Sequence, residues 1–111
     1  MAETKDDVLE KFGSLCTPLG TISGKSMFGG FGVFCDGLMF ALITGQGELY
    51  LKSDDENRPK HERAGLEKHG RMPYYRAPED ALTGWRVLKP WASAAYLAAR
   101  RAPAKPETKR K

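Results

Sequence analysis

The sequence predicts an α+β domain of two layers, an antiparallel sheet with helices packed on one of its faces. Three observations carry that prediction. Apolar residues between positions 8 and 16 recur at helical spacing. Asp36-Gly37 lies between two apolar, aromatic-rich runs, a strong hairpin signal because a type I′ turn needs positive φ at both central residues. Short strand patterns then succeed one another with tight turns between them, leaving few places for the crossovers that parallel strands require.

Thr4-Lys-Asp-Asp7 is a capping-type start, and its acidic pair suits the positive end of a helix dipole. Val8, Leu9, Phe12, Leu15 and Cys16 then share one helical face, and Pro18 and Gly20 end the helix. Strands are expected at 21–29 and 31–35, the second turning at Asp36-Gly37 into 38–43. Gly29, Gly30 and Gly32 within this pattern mark a bulge or a close approach to the backbone, a means of bending the hairpin under the first helix. Residues 38–43 are apolar on both faces, Leu38, Phe40 and Leu42 against Met39, Ala41 and Ile43, so the strand is central or a partner buries its second face. Thr44-Gly-Gln-Gly47 is a further turn. It leads to a strictly alternating strand with Leu49 and Leu51 inward and Glu48, Tyr50 and Lys52 outward.

From 53 to 65 the acidic start, Pro59 in the first turn, later basic residues and Gly65 at C′ describe a short helix. Arg71-Met-Pro-Tyr-Tyr-Arg76 reads as a strand, with Pro73 favouring an edge or a strand start. Residues 78–82 begin a helical turn that Thr83-Gly84 interrupts. The last helix starts at Trp85 or at Pro90 and runs to Ala102, with Trp91, Ala95, Ala98 and Ala102 on a narrow face. The order is therefore one helix, three or four strands, a helix, one or two strands and a final helix.

At 111 residues the chain has one modest core, and 41% hydrophobic with 29% charged residues is a globular composition. No apolar run approaches the ~18–20 residues that span a bilayer, and the acidic N-terminus is unlike a signal peptide. The chain is expected to be cytoplasmic, with Cys16 and Cys35 as buried, reduced thiols. Net charge is +4, of which residues 100–111 carry +5 and the rest −1. The basic character belongs to the tail, expected to be a solvated, disordered end or a contact for a polyanion.

Candidate chemical motifs fail on spacing. Gly24-Lys25-Ser26 lies one residue too close to Gly20 for a phosphate-binding loop, and a strand pattern comes next where that loop needs a helix. His61-Glu62 lacks the second His of a zinc-binding helix because position 65 is Gly, so His61 and His69 are expected at the surface. Asp54, Asp55 and Glu56 are adjacent at a helix start, where capping explains them better than a cation site. No cofactor, metal or catalytic set is expected. Tyr50 and Lys52, with Tyr74, Tyr75 and Arg76 on a second strand, can form a surface that stacks bases and holds phosphates. The same residues can equally be half core and half interface, since successive tyrosines face opposite sides.

Ser26-Met-Phe-Gly-Gly-Phe-Gly-Val-Phe, Asp36-Gly-Leu-Met-Phe-Ala-Leu-Ile43, Glu48-Leu-Tyr-Leu-Lys52, Asp54-Asp-Glu-Asn-Arg-Pro59, Ala64-Gly65 and Met72-Pro-Tyr-Tyr-Arg76 together closely resemble the N-terminal domain of the TfoX/Sxy regulators of bacterial DNA transformation competence. The resemblance covers roughly residues 6–102. It implies an α-β3-α-β2-α domain of the secretion-chaperone-like type, without established catalytic residues. It also implies transcriptional control of DNA-uptake genes alongside a cyclic-AMP receptor protein. Full-length regulators carry a second helical domain where this sequence has a basic tail.

The expectation is a non-enzymatic domain over 1–102, with the tail at 103–111, acting in gene regulation through a protein partner. The candidate partner contacts are Met39, Ala41, Ile43 and Tyr50 on the open sheet face, which is also a candidate homodimer surface. The alternative is direct nucleic-acid binding through Lys52, Tyr75, Arg76, Arg100, Arg101, Lys105, Lys109, Arg110 and Lys111.

Overall fold

A computed structural model of the chain describes residues 4–102. Helix α1 (Lys5–Leu15) starts with a complete capping box. The Thr4 hydroxyl accepts from the Asp7 amide at 3.1 Å, and the Asp7 carboxylate accepts from the Thr4 amide at 3.2 Å. A 3-10 turn at Thr17–Leu19 comes next, then strands β1 (Ile22–Met27), β2 (Gly30–Cys35), β3 (Leu38–Ile43) and β4 (Leu49–Lys52). Helix α2 (Arg58–Arg63), strand β5 (Tyr74–Arg76), a 3-10 turn at Ala81–Thr83 and helix α3 (Trp85–Arg101) complete the domain. The α+β class holds, with four strands before α2 and one after it in place of the implied three and two.

All five strands pair antiparallel in the order β1-β2-β3-β4-β5, so every neighbour in the sheet is a neighbour in sequence. Asp36 and Gly37 both have positive φ, as the expected hairpin turn requires. The expected strand at 21–29 instead ends at Met27, because Phe28 and Gly29 form a second two-residue turn with φ of 52° and 78°. Gly30 explains part of the glycine cluster: a Cβ there would lie 1.9 Å from the Ile43 carbonyl oxygen. A side chain at that position would force the strands apart.

The β2–β3 register shifts once, pairing Val33 with Ala41 but Phe34 with Met39. Phe40 is the extra residue of this bulge, and the bulge changes the phase of β3. Phe40, Ala41 and Ile43 all join the helix-side core, whereas Met39 and Leu42 join a cluster on the opposite face. Phe40 stacks on Phe12 of α1 at 5.5 Å and meets the edge of Tyr96 of α3 at 6.3 Å. Such ring pairs add ~0.5–1.5 kcal/mol each to the burial of their area. Val33, Cys35, Leu51, Leu88, Ala92 and Ala95 fill the remaining space between sheet and helices.

Helix α3 runs unbroken through Pro90, starting at Trp85. Lys60 braces it there, donating to the Pro90 carbonyl at 3.0 Å with its ammonium 4.5 Å from the Trp91 ring centre. Helix α2 has Pro59 in its first turn and Gly65 just beyond its end at φ 72°, as its sequence dictates. Its six residues include no aliphatic or aromatic hydrophobe besides the proline ring, so His61 becomes its buried contact. That corrects the expectation of a surface histidine: the imidazole is 1% exposed, stacked on Tyr75 at 5.0 Å and 5.4 Å from Trp91. The expected tail at 103–111 lies outside the described residues.

Candidate protein-interaction site

Residues directly opposite one another in a sheet share a face. The register therefore places Lys25, Met27, Gly32, Phe34, Met39, Leu42, Tyr50, Lys52, Tyr74 and Arg76 on the outer face, away from the helices. Leu42, Tyr50 and Tyr74 form its buried floor, and the apolar side chains packed on that floor are Met39 and Met72, neither on a helix. A Cβ on Gly32 would lie 2.8 Å from the Met27 sulfur and 3.2 Å from the Met39 terminal carbon. The second role of the glycine cluster is thus a notch in β2 that two thioethers occupy. Phe28 stands beside this surface at the β1–β2 tip, 87% exposed.

Of the four expected partner contacts, Met39 and Tyr50 face outward. Ala41 and Ile43 do not: both are fully buried on the helix side, because the bulge at Phe40 breaks the alternation that would have exposed them. Met27, Leu42 and Met72 complete the surface. Neither methionine was among the expected contacts: the sole signal for Met27 is its place before Phe28-Gly29, which was expected to continue the strand, and Met72 arrives from a loop whose course no local pattern specifies.

The expected nucleic-acid residues do not form one surface. Tyr75 lies inside, stacked on His61, with its hydroxyl donating to Glu62 at 3.3 Å. Tyr74 takes the outer position instead, but it is only 4% exposed and Tyr50 only 7%. Lys52 lies over the Tyr74 ring at 5.3 Å, Arg76 over Tyr50 at 5.9 Å, and the His69 ring 4.5 Å from Tyr50. The rings are roofed, and a base could stack on them only after these side chains moved. Burial pushes the Tyr74 hydroxyl up to about 12. Arg101 is held by Asp54 through bonds of 2.8 and 3.0 Å, and that hydrogen-bonded guanidinium is the main reason the Asp54 carboxyl titrates below its ordinary range. Arg100 lies over Tyr96 at 5.9 Å. Lys105, Lys109, Arg110 and Lys111 are outside the described residues.

The expected helix cap is not formed: α2 begins at Arg58 with Asn57 as its N-cap and no side-chain cap bond. The Asp54 carboxylate instead closes the turn before it, accepting from the Glu56 and Asn57 amides at 3.0 and 3.1 Å. Among the described residues no group of three or more His, Cys, Asp or Glu is arranged to hold a metal ion. Cys16 and Cys35 are free and buried, and burial, followed by the neighbouring Cys35, pushes the Cys16 thiol up to about 12. A thiol so placed is a poor nucleophile. A cleft of about 520 Å³ opens between α1 and the ends of β4 and β5. Its titratable lining is Glu48, Glu67, Arg76 and Glu79, with Arg76 and Glu48 paired at 3.4 Å and no Ser, Thr, Cys, His or Lys. No described helix is long and apolar enough to cross a membrane.

Residues 14–99 match the family model described as TfoX N-terminal domain. A 59-residue segment is 37% identical to the DNA transformation protein TfoX1 of Aliivibrio fischeri (strain ATCC 700601 / ES114). That match takes in 53% of this chain and 28% of the relative, so the chain corresponds to less than two thirds of the relative's length.

Proposed function

The chain belongs to the TfoX N-terminal domain family, and from that premise we propose that it is a non-enzymatic module controlling transcription of DNA-uptake genes through a protein partner bound on the outer sheet face. One observation supports this reading above the rest. The outer face carries an apolar patch, Met27, Phe34, Met39 and Met72, that the described helices leave uncovered. Unbranched thioethers reshape at low cost and suit a surface that must fit another protein. The partner is a component of the transcription apparatus, of which a cyclic-AMP receptor protein is the kind implied by resemblance.

The test is a reporter for DNA-uptake genes in the native bacterium. Met39→Asp places a charge on the patch, and Leu97→Asp, at an α3 residue 47% exposed, serves as the control. With both variants folded and equally abundant, Met39→Asp is expected to lower reporter output at least ~10-fold, the effect of losing ~1.4 kcal/mol of binding. Leu97→Asp is expected to leave it unchanged. Equal output from wild type and Met39→Asp would overturn the reading. DNA affinity that falls steeply between ~50 and ~200 mM salt and ignores Met39→Asp would favour direct nucleic-acid binding.

A further inference from the structure

We infer that β1 is a pairing edge for a second copy of this chain, the two β1 strands lying antiparallel about a twofold axis at Gly24. The inference stands apart from the partner reading, because it uses the rim of the sheet rather than its outer face.

The two rims are treated differently. Beyond β5 the chain covers its own edge. The Arg76 amide donates to the Glu67 carbonyl at 2.7 Å, the His69 amide donates to the Tyr74 carbonyl at 2.8 Å, and Lys68 lies opposite Tyr75. Beyond β1 no described strand pairs, and Ser23, Gly24, Lys25 and Ser26 are all exposed. The Asp36 amide donates to the Thr21 carbonyl at 2.8 Å, which sets the phase of the ladder. Bonded pairs alternate along an antiparallel ladder, so Thr21, Ser23, Lys25 and Met27 are engaged with β2. Ile22, Gly24 and Ser26 turn their amides and carbonyls to the open side.

That set is symmetric about Gly24. In an antiparallel pair of identical strands centred there, Gly24 exchanges both bonds with its counterpart and Ile22 exchanges both with the second copy's Ser26. Every outward backbone group of the strand is satisfied. The register also matches faces: Ser23 meets the second copy's Lys25 on the outer side, and both helix layers stay on the same side. Centring the pair on Lys25 instead sets two ammonium-bearing side chains directly opposite, with Cα atoms ~4.5–5.5 Å apart, and leaves Ile22 against the Phe28 turn. Lys25 thus selects the register as well as discouraging indiscriminate edge pairing. The result is one continuous sheet with the two methionine patches side by side. An edge of six residues buries less than the ~800 Å² per partner of a standard interface, so the dimer is concentration-dependent.

Sedimentation equilibrium of the full chain, from low micromolar to millimolar, reads the association. The mass is expected to rise from 12.3 kDa towards twice that value. Ser26→Pro removes an outward amide while leaving the β1–β2 bonds intact, and is expected to weaken association at least ~10-fold. Should that variant fail to fold, a second measurement decides. Chains carrying Ser23→Cys mixed with chains carrying Lys25→Cys are expected to oxidise to the mixed disulfide in preference to either like pair. A mass that stays at one chain throughout overturns the inference. So does a dimer that ignores Ser26→Pro or forms no mixed disulfide, and its loss on Met39→Asp would place the copies face to face instead.

Discussion

On its helix side the sheet presents Val33, Phe40, Ile43 and Leu51, each fully buried beneath α1 and α3. On its outer side it presents Met27, Phe34 and Met39, each half-buried, around the notch left by Gly32. The first face is branched and aromatic, with side chains locked by neighbours on both layers, and it serves stability. The second sets unbranched thioethers and Phe34 around a glycine notch, above a floor of Leu42, Tyr50 and Tyr74, and it can trade water for a partner. The same five strands therefore carry a core and a candidate interface back to back.

The contrast breaks most sharply at Phe40. Phe40→Ala removes a ring held between Phe12 and Tyr96 and is expected to cost ~3–5 kcal/mol in urea unfolding. A loss below ~1 kcal/mol would mean that the bulge relaxes and the two faces are less distinct than their burial implies.

Acid offers the next test. His61 sits between Tyr75 and Trp91 with no hydrogen-bond partner for Nδ1 among the described residues. Burial first, and Lys60 second, hold its pKa below 6.5. The unfolded chain therefore binds this proton at higher pH than the folded one. The stability that comes from a neutral His61 is complete above pH 6.5 and is lost progressively as pH falls below it, down to the depressed folded value. Urea midpoints measured from about pH 7.5 to about pH 5 should fall for wild type. They should fall less for His61→Phe, and equal slopes would remove His61 as the cause.

The smallest effect belongs to the rim of the outer face. Phe28 holds φ at 52°, a region costly for a bulky residue, while its ring is 87% exposed. Phe28→Asn should raise stability by up to ~1 kcal/mol in thermal unfolding, since Asn tolerates this conformation better. A lowered melting temperature would show that the ring contributes packing that its exposure hides.

The capping box at Thr4, the turn at Asp36-Gly37, the alternation in β4 and the Gly65 stop were legible because each depends on residues close in sequence. The family resemblance rested on the order of segments from Ser26-Met-Phe-Gly-Gly to Met72-Pro-Tyr-Tyr-Arg76, and the match over residues 14–99 bears it out. The facing of the candidate contacts was only partly legible: Met39 lies half-buried on the outer face, Tyr50 lies on it but 7% exposed beneath Arg76 and His69, and Ala41 and Ile43 turn inward. Whether 38–43 alternates cleanly depends on the β2–β3 register, and a one-residue bulge exchanges the faces of the residues beyond it. His61 was misread for a related reason. A short helix without aliphatic side chains shows no apolar stripe, and only its docking on Tyr75 and Trp91 makes the imidazole part of the core.

The sequence by itself determined the class of fold, the first helix start and the Asp36-Gly37 hairpin, because φ preferences and hydrogen-bond capping act over a few residues. Only the tertiary structure decided which face of β3 is outside, which of Tyr74 and Tyr75 lies inside and which sheet edge is open. Those outcomes depend on strand register and on the placement of loops across the sheet, and long-range packing fixes both.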